Sequence, residues 1–135
     1  MIELVYPELS FELLGSAFKV FNTIGYGLHE KYYHRSYEEE LAIRHIPFER
    51  EVTINLMYGD KHIGKGFLDF LIDKKIVVEW KIGYQLGQLP MRQVYGYLRG
   101  GRCELAIILY VTRDGIKYRR VLNPDFKHSD KIRTH

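Results

Sequence analysis

The sequence predicts an α/β (α+β) domain built on one sheet, and three observations carry the prediction. Apolar residues recur at helical spacing through the N-terminal third. From Arg50 onward they give way to short runs rich in β-branched and aromatic residues, and one helix-length segment falls between the third and fourth of those runs. Helices, three strands, a helix and two strands in that order describe a sheet with helical cover. The chain has 135 residues, 46% hydrophobic and 14% aromatic, which suits one core rather than two, since separate cores need roughly 50–100 residues each. Residues 1–135 are therefore read as a single domain.

Ser10 is placed as the cap of a first helix, with Glu12 in its opening turn and Leu13, Leu14, Ala17, Phe18, Phe21 and Ile24 along one stripe. Gly25 and Gly27 break that pattern. A second helix runs from about Leu28 to Arg44 through Tyr33, Tyr37 and Leu41, with Pro47 beyond its end. The first three strands are Val52–Tyr58, Ile63–Ile72 and Ile76–Ile82. Gly59-Asp60 and Asp73-Lys74-Lys75 turn the chain between them, which makes an antiparallel meander. A third helix covers about Leu89–Leu98 and stops at Gly100-Gly101. Leu105–Val111 is apolar throughout, as suits a strand buried on both faces, and Asp114-Gly115 turns into a last strand near Ile116–Leu122. The polar residues 124–135 are expected to form a flexible tail.

The formal charge of +3 conceals an asymmetry. Residues 1–60 hold five Lys/Arg against ten Asp/Glu, a balance of −5, and residues 61–135 hold fifteen against seven, a balance of +8. A basic C-terminal part fits a polyanionic partner. Cys103 is the single cysteine, so no intramolecular disulfide forms, and no apolar run approaches the roughly 20 residues that span a bilayer. A reducing cytoplasmic setting without membrane contact is the expectation.

Three charges stand out in otherwise apolar strands: Asp69 in Phe67–Ile72, and Glu79 and Lys81 in Ile76–Ile82. An unpaired ion inside such a sheet costs several kcal/mol, so these groups are expected to pair with one another or to hold a metal. Glu79 and Lys81 share a face by alternation. Asp69 joins them if a three-residue loop pairs Ile72 with Ile76, which sends Leu68, Phe70, Ile72, Ile76, Val78 and Trp80 to the other face. A two-residue Lys74-Lys75 turn would separate the carboxylates. Neighbouring carboxylates suit Mg²⁺ or Mn²⁺, and a lysine beside them could position or deprotonate a water that attacks phosphorus. A buried salt bridge from Lys81 to either acid is the alternative.

Asp69 followed by Glu79-Trp80-Lys81, between helices, resembles the PD-(D/E)XK nuclease superfamily. Gly27, Glu30 and Tyr33 fit the motif of the small GxxExxY proteins, and Glu40-Leu41, Ile46–Arg50, Gln93, Tyr97-Leu98 and Gly115–Pro124 are similar to the rest of that family, covering residues 10–124. The resemblance implies a restriction-endonuclease-like core, with a central mixed sheet that includes the three-strand meander and is flanked by helices. It implies Mg²⁺ or Mn²⁺ held by Asp69, Glu79, the Trp80 backbone carbonyl and Glu30. Lys81 is then the catalytic lysine, and Gln93 and Tyr97 form a Gln-x-x-x-Tyr helix motif that orients the site or the nucleic acid. Leu68 stands where the superfamily's name has proline, and Trp80 is bulkier than the usual leucine.

DNA hydrolysis, rather than RNA hydrolysis, is the expected activity, and a catalytically inactive nucleic-acid-binding module or a structural interaction domain of the same fold is the alternative. Tyr97, Arg92, Arg99 and Lys65 are candidate nucleic-acid contacts, and Arg102, Arg113, Lys117, Arg119 and Arg120 extend a basic track. A homodimer or a protein partner would widen the reach of so small a domain. His29 and His34 lie five apart, which does not make a zinc pair, and Gly25-x-Gly27 follows no strand, which excludes a dinucleotide loop.

Overall fold

The computed structural model describes residues 5–83 and 91–126, with backbone only at 91–93. The element order is α1 (Pro7–Ile24), α2 (Glu30–Ile43), β1 (Phe48–Tyr58), β2 (Lys61–Ile72), β3 (Ile76–Ile82), α3 (Met91–Gly101), β4 (Leu105–Thr112) and β5 (Gly115–Leu122). One five-stranded sheet holds them in the order β1-β2-β3-β4-β5. β3 and β4 are parallel and every other pair is antiparallel, so α3 is the crossover between two central strands. α1 and α2 pack on one face over Phe70, Val78, Trp80, Ile107 and Leu109; α3 packs on the other over Leu68, Val77, Ala106 and Ile108. No helix among the described residues is long and apolar enough to cross a membrane.

Ser10 does not cap α1. The helix starts at Pro7, whose fixed φ suits the first turn, and the amide of Ser10 already donates to the Tyr6 carbonyl at 2.9 Å inside the helix. α2 starts at Glu30, and His29 caps it by accepting from the Lys31 amide at 3.2 Å. Tyr33 and Tyr37 are fully buried, and both hydroxyls are satisfied: Tyr33 donates to the Gly25 carbonyl at 2.6 Å and Tyr37 to the Leu13 carbonyl at 3.0 Å, tying α2 to α1. α3 ends at Gly101, as the glycine pair was expected to make it, and both glycines are its last helical residues. A Cβ on Gly100 would sit 2.9 Å from Ile54 Cδ1 and one on Gly101 3.2 Å from Leu68 Cδ1, so both glycines let the helix close onto β1 and β2. Arg102, with φ 56, then turns the chain, and the Cys103 amide reaches back to the Leu98 carbonyl at 2.9 Å.

The Asp73–Lys75 loop pairs Ile72 with Ile76, as the three-residue turn requires. Leu68, however, leaves the face it was expected to share with Phe70 and packs under α3. The cause lies across the ladder: Glu51 has φ 51, and the Glu51/Asp69 pair is missing between Arg50↔Phe70 and Val52↔Leu68. The alternation changes phase there, and Asp69 sits at the change. Past β5, the Asn123 amide bonds the Glu104 carbonyl at 2.8 Å, and Asp125 pairs with Arg99 at 3.0 Å. Leu89, the expected start of α3, and residues 127–135 of the expected tail lie outside the described residues.

Candidate active site

The pairing of β2 with β3 runs from Ile72↔Ile76 to Phe70↔Val78 and stops. Beyond it, side chains take over the backbone's partners. The Asp69 amide donates to Glu79 Oε2 at 3.3 Å, and the Trp80 amide donates to Asp69 Oδ2 at 3.0 Å. Two carboxylates thus occupy the fork where the central strands part. Glu79 is 3% exposed and lies level with Ile108 of β4. Its Oε1 is buried with no hydrogen-bond partner among the described residues.

α2 brings two more groups to this fork. Glu30 and His34 stand one helical turn apart, and His34 Nε2 lies 3.8 Å from Glu30 Oε1 and 3.6 Å from Asp69 Oδ2. One ligand atom from each of the three residues falls within 4.8 Å of the others. Arg50 fixes the histidine from behind: it donates to His34 Nδ1 at 3.1 Å and to the Asp69 carbonyl at 2.9 Å, pairs with Glu38, and lies 4.4 Å above the Phe70 ring. An arginine can only donate, so Nδ1 accepts and the hydrogen of the neutral ring sits on Nε2, aimed at the carboxylates. In this state His34 Nε2 faces Asp69 and Glu30 at 3.6 and 3.8 Å, beyond hydrogen-bond length. Ligating a cation through Nε2 would require the ring to break with Arg50.

Burial drives the electrostatics of the pair. It pushes the Glu79 carboxyl well above the usual range, the hydrogen bond and charge of Asp69 push it further, and the charge of Lys81 opposes them. Burial acts on Asp69 in the same sense but is outweighed by the facing His34 ring and by hydrogen bonds from Glu79 and the Trp80 amide, so this carboxyl is held low. One proton therefore sits on Glu79 while Asp69 stays ionised. An ionised carboxylate, a second one waiting to lose its proton, Glu30 at the open side and a buried oxygen without a partner make a donor set that fits a hard divalent cation.

Of the residues singled out in the sequence, Asp69, Glu79 and Glu30 gather at the fork, and Lys81 stands beside Tyr110 in the β3/β4 ladder, near enough for its charge to act on Glu79. Trp80 turns its ring into the core, stacked on Tyr33 at 5.8 Å. Tyr97 packs from α3 against Gly66, where a Cβ would lie 3.3 Å from its Cε1. Lys65 is exposed on β2, and Arg99 on α3 pairs with Asp125 at 3.0 Å. The side chains of Arg92 and Gln93 lie outside the described residues. Sequence reasoning missed His34, Arg50 and Glu38. It looked for pairs among the histidines alone, whereas Glu30 and His34 at helical i, i+4 spacing were there to be read.

The central strands thus part around the Asp69 and Glu79 carboxylates, with Lys81 two residues beyond Glu79, an arrangement whose oxygen donors fit a hard divalent cation. The chain belongs to the PD-(D/E)XK nuclease superfamily, whose family model matches residues 7–121. The five-stranded mixed sheet with helices on both faces is the restriction-endonuclease-like fold of that superfamily. The chain is also similar to a solved structure, the crystal structure of SSO0001, at 26% identity and a TM-score of 0.56 over 96% of its own length; it spans 64% of that chain. No curated protein matches it.

Proposed function

We propose that this protein is a Mg²⁺- or Mn²⁺-dependent nuclease of the GxxExxY branch that hydrolyses phosphodiester bonds in DNA. The observation that carries the reading is the fork at which Asp69 and Glu79 replace the missing ladder partners of β2 and β3. Asp69, Glu79 and Glu30 are the side chains that would hold the cation, with the Trp80 carbonyl completing the set. When bound, the metal supplies Lewis acidity toward a phosphate oxygen and a water of lowered pKa. Lys81 stands to orient that water and to balance charge on phosphorus, and Gln93 is the further supporting residue of this reading. His34, fixed by Arg50, faces Asp69.

The test is cleavage of linear, circular, branched and single-stranded DNA and of RNA with Mg²⁺, Mn²⁺ or EDTA, comparing wild type with Lys81→Ala. Metal-dependent cutting of DNA that Lys81→Ala loses is the expected result. Folded protein that cuts nothing, or a Lys81→Ala variant with full activity, would remove the reading.

A pH dependence of metal binding follows from the Glu79 proton. Its carboxyl is held above the ordinary range, so the metal-free site is protonated at neutral pH and must release that proton before Glu79 can ligate. Affinity for Mn²⁺ is therefore expected to rise as pH rises, by about tenfold per unit while Glu79 remains protonated. Titration calorimetry in buffers of different ionisation enthalpy should show close to one proton released per ion. A pH-independent affinity with no proton release would show that Glu79 is already ionised.

A further inference from the structure

The β1–β2 ribbon carries a surface that the metal site leaves unexplained. Among the described residues, residues 61–69 of β2 have β1 as their sole strand neighbour, so the ribbon projects past the point where β3 diverges. Its one face is covered: Val52, Ile54 and Leu68 pack under α3, and Tyr97 lies on Gly66. Among the described residues, none packs over the exposed side chains of the other face. Thr53 and Phe67 stand opposite each other there, Asn55 and Lys65 are the next pair, and all four are exposed. Phe67 leaves 57% of its surface to water, in the middle of a paired strand and two residues from Asp69.

We infer that this face is the binding platform for a single, unpaired nucleic-acid strand, with Phe67 stacking on a base next to the scissile phosphate and Lys65 holding the following phosphate. The inference rests on the nuclease reading and names the form of its substrate. Phe67 and Lys65 share a face of β2 and precede Asp69 by two and four residues, a rise of about 6.5 and 13 Å, within one or two nucleotides of the acid. Charge favours a polyanion: between Val52 and Leu68 the sole acid is Asp60 at the turn, against Lys61 and Lys65. Stacking decides between strand forms. An aromatic ring gains from a base whose π-face is free, and in a duplex that face is covered by its neighbours. Lys65 alone would serve a duplex equally well, whereas Phe67 would not.

The experiment is fluorescence anisotropy of labelled single-stranded and duplex DNA in EDTA, where cleavage cannot occur, with wild type, Phe67→Ala, Phe67→Leu and Phe67→Trp. Sedimentation and circular dichroism run beside it to check association and folding. Both Phe67→Ala and Phe67→Leu are expected to weaken single-strand binding by about ten- to a hundredfold, Phe67→Trp to keep it, and duplex binding to stay within about twofold. Equal losses on both DNA forms, or wild-type binding by Phe67→Leu, would overturn the stacking role. A wild-type dimer that Phe67→Ala dissociates, with DNA binding intact, would overturn it in favour of self-association. The two readings also fail separately. Phe67-dependent binding without cleavage in any metal sinks the nuclease and keeps the platform; cleavage that needs Lys81 while Phe67 variants bind normally does the reverse.

Discussion

Glu79→Gln is expected to abolish metal-dependent cleavage, by at least about a thousandfold, and at the same time to make the metal-free protein more stable. The two effects come from one carboxyl. Glutamine keeps the shape and can still accept from the Asp69 amide through its carbonyl oxygen, but it brings no negative charge to a cation. The stability effect has a definite sign. Because the folded protein holds the Glu79 carboxyl above its unfolded value, the native state binds this proton more tightly than the unfolded chain does. That contribution is complete below the unfolded pKa and is lost as pH rises toward the folded one. Near neutral pH the acid is therefore a cost that a neutral amide avoids, on the order of 1–3 kcal/mol and a rise of several degrees in melting temperature. Melting in EDTA near neutral and at mildly acidic pH tests it: the gain should shrink toward the acid end. A variant that melts below wild type at neutral pH, or that still cuts, would contradict the account.

Trp80→Ala is expected to cost about 3–5 kcal/mol of folding stability, enough to leave the domain marginal. Trp80 is 1% exposed, stacked on Tyr33 at 5.8 Å and edge-on to Tyr37 at 5.1 Å, so truncation opens a cavity between α2 and β3. Its Nε1 is buried with no hydrogen-bond partner among the described residues. Phenylalanine would therefore lose ring volume without stranding a partner, and Trp80→Phe is expected to cost about 1–2 kcal/mol. Urea denaturation of both variants gives the two numbers directly. If the alanine variant lost under about 1 kcal/mol, the aromatic cluster would not be the anchor of α2 on the sheet.

The sequence exposed these two residues for different reasons, and that difference shows what is legible in a chain. Strand texture, turn residues and the improbable charges of Asp69, Glu79 and Lys81 are local signals, and the elements they define appear in the structure within a few residues. The loop of Asp73-Lys74-Lys75 even fixed the pairing of Ile72 with Ile76. Signals that depend on distant packing were harder to read. Gly100 and Gly101 mark the end of α3, as the sequence suggests, but the second need for them, room against Ile54 and Leu68, arises far away in the chain. The phase change that moves Leu68 under α3 depends on the left-handed backbone of Glu51, which nothing in the composition of that strand announces. His34 joined the site because Arg50 and Asp69 meet it across α2 and β2, a contact between segments that no spacing rule connects.

The carboxylates that end the β2/β3 ladder are ordered before anything binds. A side chain held by hydrogen bonds has already surrendered rotamer freedom that would otherwise oppose binding, up to about 1–2 kcal/mol for a glutamate. Asp69 and Glu79 made that surrender on folding, when each took the place of a backbone partner. The entropy of assembling the site is thus charged to the fold rather than to the ligand. Affinity at the fork is in consequence tied to the rigidity of the β2/β3 hairpin, so loosening its turn at Asp73–Lys75 would weaken binding without touching a single donor atom.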